Sequence, residues 1–366
     1  MPPLTGWFDP SPKGGFLRLA ANSYLPAKGD PPVRVAGLRR GDLVVLENGR
    51  LVSVNGTPPG PALVERPEFA KLGAVHPSRP LRLETPGASS RRTADIQRVV
   101  DLVCPLGLGQ RALIVSPPKA GKTVMLQAVA EGVALNYPTA ILLILLVDER
   151  PEEVSEMVDW GRGEVVASSF DLPHARHVAV ADMVFDHARR QVELGKDVVI
   201  VLDSLTRLAR SHNTAGRSSG RTMSGGLDAH ALAKPKALFG AARAVPGDGG
   251  EGSGGAGSLT VVATALVETE SRMDDVIFEE FKGTGNMELH LDRKLVDRRV
   301  YPAIDLTRSG TRKEELLLSK DILNRVWVLR KVLNQMSDVE AMELLLDRMS
   351  KSKNNGQFLK SMSDSA

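Results

Sequence analysis

A lysine and a threonine end a loop that could bind phosphate. Residues 116–123 read Ser-Pro-Pro-Lys-Ala-Gly-Lys-Thr, between the apolar run 112–115 and a helix predicted over 122–135. In such a loop, backbone N–H groups and the helix N-terminus bind phosphates. Lys122 would contact the β- and γ-phosphates, and the Thr123 hydroxyl would ligate magnesium. The usual pattern has glycine where Ser116 stands, and an ordinary turn with an exposed lysine is the alternative.

Acidic residues follow two other apolar runs. Asp203 comes directly after 198–202, and Asp148-Glu-Arg comes after 140–147. The carboxyl ends of parallel strands form the edge at which open α/β sheets bind ligands. There Asp203 could hold magnesium, and a carboxylate at 148–149 could activate the water that attacks the γ-phosphate. The alternative is that these acids only cap the helices that follow them.

The elements that would position these residues alternate regularly after about residue 91. Strands are predicted at 112–115, 140–147, 164–167, 198–202 and 259–265, and helices at 122–135, 151–160, 175–194 and 229–243. Continuous apolar strands alternating with helices favour a parallel sheet that is covered on both faces. Helical apolar spacing at 319–334 and 338–350 predicts two further helices that pack on this core or on a neighbouring subunit.

Charge and proline divide the chain into a front and a body. Residues 1–100 contain 14 Lys or Arg and 8 Asp or Glu, a net charge of +6, whereas the whole chain carries only +3. Fourteen of the 23 prolines lie in the same quarter, where long helices are therefore not expected. Short apolar pieces separated by Gly, Pro and Asn-Gly predict a small β-barrel or sandwich there.

Composition excludes several classes of protein. One cysteine excludes a disulfide framework and a Cys-rich zinc module, and the seven histidines show no metal-ligand spacing. The longest purely apolar run, 140–147, is too short to cross a bilayer, and residues 1–10 do not form a signal peptide. We therefore expect a cytoplasmic protein without a membrane partner.

Seven motifs together resemble the bacterial transcription termination factor Rho family. They are the loop at 116–123, Asp-Glu-Arg-Pro-Glu-Glu at 148–153, and the segments 163–168, 202–210, 239–243, 281–290 and 308–315. The resemblance covers about residues 87–362, and its Pro-Pro-Lys loop is a trait of that family. It implies a RecA-like P-loop ATPase domain over 86–366, preceded over 1–85 by a shortened OB or cold-shock-like barrel. The Gly-rich stretch 246–258 looks like an insertion and is predicted to be a disordered surface loop.

The resemblance also implies roles for residues at a magnesium–ATP site. Glu149 matches the catalytic base and Asp203 the Walker B acid, while Arg312 resembles an arginine finger that the neighbouring subunit supplies, with Arg299 a second interface arginine. Tyr301 stands where the family stacks an aromatic ring on adenine. The remaining expected ATP contacts are Gly107, Leu108, Gly109, Gln110, Arg111, Ala112, Lys119, Ala120, Gly121, Lys122, Thr123, Val124 and Arg150.

RNA contacts are expected in two central loops and in the front domain. The first loop, 215–226, carries Arg217 and Arg221, and the second, 269–273, carries Arg272. Without the resemblance, both loops would be read as flexible connectors. In the front domain, the segments 13–18 and 22–25 resemble the start of the family's RNA-binding barrel. The RNA-binding residues expected there are Phe16, Arg18 and Tyr24.

We therefore expect an RNA-dependent ATPase and helicase that assembles as a homo-hexamer. It would move along single-stranded RNA and terminate transcription, with RNA polymerase and elongation factors as partners by resemblance. The shortened front domain, in which Gly14 replaces a usual stacking aromatic, leaves open a paralogue that binds RNA with little or no translocation. A rotary-type ATPase subunit is the other alternative, although it would carry a glycine-rich phosphate loop.

Overall fold

The computed structural model describes residues 2–216, 224–228, 230–247 and 257–362 of the chain. The strands are β1 Leu4–Ser11, β2 Gly14–Arg18, β3 Pro32–Val33, β4 Leu43–Glu47, β5 Arg50–Val54, β6 Pro80–Leu81, β7 Leu106–Gly107, β8 Arg111–Ser116, β9 Ile141–Glu149, β10 Glu164–Ser169, β11 Asp197–Asp203, β12 Arg243–Ala244, β13 Ser258–Leu266, β14 Met287–His290 and β15 Gly310–Thr311. The helices are α1 Ala62–Glu65, α2 Arg91–Val103, α3 Lys122–Asn136, α4 Pro151–Trp160, α5 His174–Val192, α6 Leu205–Ala215, α7 Ala233–Phe239, α8 Arg272–Lys282, α9 Arg293–Asp297, α10 Lys320–Leu333, α11 Asp338–Ser350 and α12 Asn355–Ser361.

The front of the chain forms a five-stranded antiparallel sheet in the order β3-β2-β1-β4-β5. Its small core contains Phe8, Leu17, Val44 and Val54. In β4, buried Val44 and Leu46 alternate with more exposed positions. Because β3 and β5 stand at opposite edges of the described sheet, this barrel is open. The fold confirms the prediction of a shortened barrel in front of the ATPase core.

The body contains a mainly parallel sheet in the order β10-β9-β11-β13-β8-β14-β15. The first six strands of this path, β10, β9, β11, β13, β8 and β14, run parallel. The short strands β15 and β12 pair antiparallel with β14 and β13. Apolar side chains from alternate positions enter two large cores, one on each face. The parallel sheet and its five predicted strands are confirmed. The carboxyl ends of β8, β9, β11 and β13 share one edge.

Several elements differ from the sequence-based expectation. Helix α7 spans only Ala233–Phe239, shorter than the predicted 229–243, and the predictions did not include α2. Arg272 begins α8, although 269–273 was expected to be a loop. Asp274 and Asp275 favour a helix there because they lie in its positively polarised first turn. The predicted Gly-rich loop falls largely on 248–256, outside the described residues.

An aromatic stack fixes the front sheet to the body. The Trp7 ring lies between Tyr24 and His187, with ring centroids 3.6 and 4.2 Å away. His187 belongs to α5, and its Nδ1 lies 2.8 Å from the Gly41 carbonyl oxygen. A side chain at Gly41 would collide with the α5 backbone, since an added Cβ would lie 2.4 Å from the His187 nitrogen. The front sheet therefore packs directly on α5.

A buried ion pair organises the turn that leads into β4. Both oxygens of Asp42 accept hydrogen bonds from the Arg66 guanidinium at 2.6 Å, and one also accepts from Asn55 at 2.9 Å. The two charged side chains are 0% and 3% exposed. A buried charge that loses its partner is strongly destabilising, whereas an exposed pair contributes little. Asp42 is therefore important for the stability of the front domain.

Replacing this buried carboxylate tests that role. We expect Asp42→Asn to lower the free energy of unfolding by about 3 kcal/mol or more, because buried Arg66 loses its bidentate carboxylate partner and keeps only Glu193, 3.9 Å from its Nε. The measurement is urea unfolding followed by tryptophan fluorescence. The matched control is Asp321→Asn, which breaks an exposed pair with Arg325 and should cost less than about 1 kcal/mol. Equal losses in the two variants would contradict the proposed importance of burial.

Candidate functional site

The predicted phosphate loop joins β8 to α3. Gly121, the N-cap of α3, has a φ of 93°, and Lys119 has a φ of 64°, so the loop turns sharply twice before the helix begins. Such left-handed geometry explains the glycine at position 121. Ser116 lies in β8, outside the left-handed region, so glycine is not required there. The loop keeps a strand-to-helix phosphate-binding geometry despite the missing first glycine.

The Lys122 ammonium group lies between two carboxylates from neighbouring strands. Its Nζ is 2.7 Å from Asp203 Oδ1 and 3.0 Å from Glu149 Oε1. Burial raises the pKa of both carboxylates, and Lys122 partly opposes this rise. Burial also lowers the pKa of Lys122, but the two carboxylates outweigh that effect and leave it raised. The structure therefore brings together the predicted phosphate-binding lysine, the base and the Walker B acid.

Two further side chains in this cluster have no predicted role. Arg207 Nε lies 3.2 Å from Glu149 Oε1, and the Arg207 guanidinium also donates to the Asp148 carbonyl oxygen. Thr264, on β13, donates a hydrogen bond to Asp203 Oδ1 at 2.7 Å. Arg207 stands four residues after Asp203, which places it in the first turn of α6 beside the sheet edge. That spacing is the sequence signal that could have identified it.

Arg92 lies between Tyr301 and the phosphate loop. The Arg92 guanidinium carbon stands 4.5 Å from the Tyr301 ring centroid, and Arg92 approaches to 3.8 Å of an added Cβ at Gly121. Tyr301 is half-buried, so part of its ring remains accessible. This position suits the predicted adenine contact. The other two predicted arginines, Arg150 at the N-cap of α4 and Arg299, are both exposed.

Arg312 lies away from the phosphate loop of its own chain. It directly follows β15, which pairs with β14 at Met287, and Met287 in turn pairs with Ala112 at the amino end of β8. The phosphate loop starts at the other end of β8, roughly 13 Å farther along the strand at ~3.3 Å per residue. Arg312 is exposed at this opposite edge. If Arg312 acts in ATP hydrolysis, the nucleotide that it contacts must be bound to another subunit.

The same topology places one group of predicted ATP contacts away from the phosphate loop of their own chain. Residues 107–112 lie at the amino end of β8, where Gly109 and Gln110 are buried and bonded to Thr260 and Asn286. The backbone there serves to join strands, so this stretch cannot line the phosphate loop of its own chain. Arg111 shares a surface pocket of about 430 Å³ with Arg312. The remaining loop positions, Ala120, Thr123 and Val124, do lie at the start of α3.

The two predicted central RNA segments meet in space where the structure describes them. An added Cβ at Gly225 would lie 2.6 Å from the Met273 nitrogen, so the end of the first segment packs on the start of α8. Arg272 is exposed at this junction. Arg217 and Arg221 lie outside the described residues. The described part of the first segment thus supports a common surface with Arg272.

Of the three predicted RNA contacts in the front domain, Phe16 is the exposed one. It is 36% exposed, and the Arg18 guanidinium carbon lies 5.1 Å from its ring centroid. The Arg18 guanidinium, by contrast, is bound by Asp9 and Asp30, both at 2.7 Å. The predictions for Arg18 and Tyr24 are corrected, because the first charge is already neutralised and the Tyr24 ring is 7% exposed in the stack with Trp7. Both side chains hold the front domain together instead.

Comparison with known proteins gives one consistent result. The nucleotide-binding domain of the ATP synthase alpha/beta family matches residues 97–311. The transcription termination factor Rho of Gemmatimonas aurantiaca is 55% identical over 97% of this chain, which spans half the length of that relative. The Rho proteins of Aquifex aeolicus and Escherichia coli are 50% and 48% identical over 98% and 95% of this chain, and the matches span 84% of each relative.

Solved structures show the same fold at lower identity. An ATPase from the type III secretion system of pathogenic bacteria has a TM-score of 0.63 at 20% identity, covering 80% of this chain and 88% of that one. The ATP synthase subunit NeqB from Nanoarcheaum equitans has a TM-score of 0.58 at 16% identity, covering 72% and 62%. These two likenesses show the fold alone. The relatives at about 50% identity support a function in transcription termination. The chain belongs to the transcription termination factor Rho family and is a P-loop ATPase.

Proposed function

We propose that this chain is an RNA-dependent ATPase and helicase whose subunits form a hexameric ring around single-stranded RNA. The ring would move along nascent RNA and release the transcript from RNA polymerase. One observation carries the proposal: the chain places Lys122, Glu149 and Asp203 at one edge of the sheet and Arg312 at the other. A complete ATP site then needs two neighbouring subunits, as in a ring.

The donor set at the loop suits magnesium bound with ATP. The Thr123 hydroxyl and the Asp203 carboxylate are hard oxygen ligands of the kind magnesium prefers. Among the described residues no group of three or more His, Cys, Asp or Glu side chains could hold a metal ion, so nucleotide phosphates would complete the coordination. Bound magnesium would neutralise charge on the phosphates. Lys122 would then exchange its two carboxylate contacts for phosphate oxygens.

Glu149 is placed to activate water. It lies at the end of β9, 2% exposed, and burial raises its pKa, so it is a stronger base than an exposed carboxylate. Arg207 holds one of its oxygens at 3.2 Å and so orients the carboxylate. When Lys122 turns to the phosphates, Glu149 can accept a proton from a water molecule beside the γ-phosphate.

RNA would contact the joined surface of Arg272 and the segment that ends at Gly225. An exposed arginine at a helix N-terminus and a Gly-rich segment can follow phosphates without reading sequence. Arg217 and Arg221 remain expected RNA contacts by resemblance, and the exposed Phe16 would be the front domain's stacking platform. The cytoplasm is the proposed location, with elongation factors as further partners. No described helix is long and apolar enough to cross a membrane.

The alternatives make different predictions. A Rho-family paralogue that assembles without translocating would bind RNA and show little stimulation of ATP hydrolysis. A rotary-type subunit would hydrolyse ATP without any response to RNA. The Rho-family relatives at about 50% identity and the Pro-Pro-Lys loop disfavour the rotary alternative.

RNA stimulation is the first test of the proposed function. We expect poly(C) to raise the steady-state ATPase rate of the assembled protein at least about tenfold, because RNA in the ring would align neighbouring subunits and so complete each site. Phosphate release is the measurement, with double-stranded DNA as the control polymer. A rate that does not change with poly(C) would exclude the RNA-dependent motor.

The base assignment is tested by a nearly isosteric substitution. We expect Glu149→Gln to lower kcat by about 10² to 10⁴, because an amide cannot accept the proton. Nucleotide binding should persist, as measured by fluorescence of a labelled ATP analogue, whereas Lys122→Ala should weaken binding itself. Glu156→Gln is the matched control, since Glu156 is exposed on α4 just beyond the site. Near-normal hydrolysis by Glu149→Gln would remove Glu149 from the mechanism.

Subunit mixing tests the arginine finger. An arginine finger contributes about 10³ to 10⁵ in rate, so Arg312→Ala alone should be nearly inactive. Added to Lys122→Ala, however, it should recover activity, because some mixed interfaces combine an intact loop with an intact finger. The control is the same mixture made with the double variant. If the two inactive variants fail to complement each other while both still assemble, a finger supplied in trans is wrong.

A further inference from the structure

An arginine-lined pocket lies where the front domain meets the body, far along the chain from the phosphate loop. This seam pocket has a volume of about 660 Å³. The front contributes Arg39 and Phe69, α5 contributes Arg189 and Arg190, and the segment after α7 contributes Arg243. The full lining is Arg39, Glu68, Phe69, Ala70, Asp186, Arg189, Arg190, Ala237, Gly240, Ala241 and Arg243.

Arginines outnumber carboxylates around the seam pocket. Asp186 accepts from Arg189 at 2.9 Å and from Arg40 at 3.1 Å. Glu193, behind the wall with a fully buried side chain, serves Arg39 at 3.2 Å and Arg190 at 2.7 Å. The remaining lining carboxylate, Glu68, lies 3.4 Å from Lys71. Each acidic group is thus already engaged by a cation.

Among the arginines that line the seam pocket, Arg243 has no carboxylate within ion-pair distance in the described residues. Its guanidinium lies 4.6 Å from the Phe69 ring centroid, and its hydrogen bonds to described residues go to the carbonyl oxygens of Ala241 and Leu72. Arg189 approaches the same ring at 5.9 Å. Burial, followed by repulsion from Arg189, lowers the pKa of Arg243. An anion between the two arginines would relieve this repulsion.

We propose that the seam pocket binds phosphate groups of the single-stranded RNA backbone through Arg189 and Arg243. This inference rests on the proposed RNA-dependent function and adds an RNA site outside the front-domain and central-loop sites. The chemistry is that of phosphate alone: the Phe69 ring is 5% exposed beneath the guanidinium groups, so no base can stack on it. Contacts of this kind hold the strand without selecting its sequence.

The position of the pocket favours RNA over a small free anion. The pocket is larger than one phosphate and lies open at the surface between the front domain, which carries Phe16, and the segment 237–243. That segment includes the end of α7, Ala233–Phe239, and follows the Gly225 junction by about a dozen residues along the chain. A strand held by the front domain and then by the central loops could rest its backbone here.

The test compares the salt dependence of RNA binding. Fluorescence anisotropy of a labelled oligocytidine RNA is measured across a KCl series for the wild type and for Arg189→Gln/Arg243→Gln. Each lost phosphate contact should reduce the slope of log Kd against log[salt] by about 0.7, so the double variant should lose about 1.4 and bind roughly tenfold more weakly at low salt. The control Arg348→Gln, an exposed arginine on α11, should retain both values.

Two further measurements distinguish RNA binding at the seam pocket from a structural role of Arg243 and from binding of a free anion. Arg243→Lys keeps the charge and should retain most of the slope, whereas the single variant Arg243→Gln should lose about 0.7. If the two variants lose the same slope while both keep a normal Tm, the charge of Arg243 does not bind RNA phosphate and the proposal fails; if both lower Tm, its role is structural and the proposal also fails. Tripolyphosphate binding is measured by calorimetry in the Lys122→Ala background. If seam variants lose that binding while the RNA slope is unchanged, the pocket serves a free anion and the proposal also fails. No RNA binding by the wild type would instead overturn the proposed function.

Discussion

The buried contact between Lys122 and two carboxylates is the interaction on which the rest of the site depends. Glu149 and Asp203 come from adjacent strands and are almost fully buried, so their like charges would be costly without a cation between them. Lys122 reaches them from the helix that follows a third strand, and Thr264 supports Asp203 from a fourth. The ends of β8, β9, β11 and β13 are therefore tied by one charged cluster, which preorganises the edge for phosphate and a metal ion.

The order of strands then determines what one chain can do alone. Because β14 runs parallel to β8 and β15 pairs with the start of β14, Arg312 stands at the amino edge of the sheet. A strand direction cannot be reversed locally, so no side-chain rotation brings Arg312 to its own phosphate loop. In the proposed ring, hydrolysis therefore depends on contact between neighbouring subunits. The same parallel topology that builds the phosphate site thus divides it from the arginine that would complete it.

The extent of successful prediction follows from how local each signal is. The phosphate loop and the strand-end acids could be predicted, since their geometry depends on a strand, a turn and a helix that are adjacent in sequence. Arg207 was missed although its spacing after Asp203 places it in the first turn of α6, because its contact with the end of β9 joins elements that are far apart in sequence. For the stretch 107–112 the limit is the reverse one, because a family match gives residues without saying which end of a strand, or which subunit, they serve.

Tyr24 and Arg18 show how the front domain uses residues that resemble RNA contacts. Tyr24 stacks on Trp7, while Arg18 binds Asp9 and Asp30. An aromatic and a basic residue that look like RNA contacts thus make contacts within the protein. Their burial could not be inferred from residue type: Tyr24 is buried in a stack that includes His187 of α5, whereas Arg18 is enclosed by carboxylates of the front domain itself.

The charge asymmetry of the chain acquires a structural meaning from this docking. Arg39 and Arg40 of the basic front pair with Glu193 and Asp186 of the more acidic body, which brings opposite charges together along the seam. Much of the front's net charge of +6 is therefore used within the molecule, and net charge alone overstates what remains for RNA. Arg39 and Arg190 share Glu193, and Arg40 and Arg189 share Asp186. Arg243, at the boundary between the two parts of the chain, has no carboxylate partner among the described residues, so its charge is the one at the seam that a bound phosphate could neutralise.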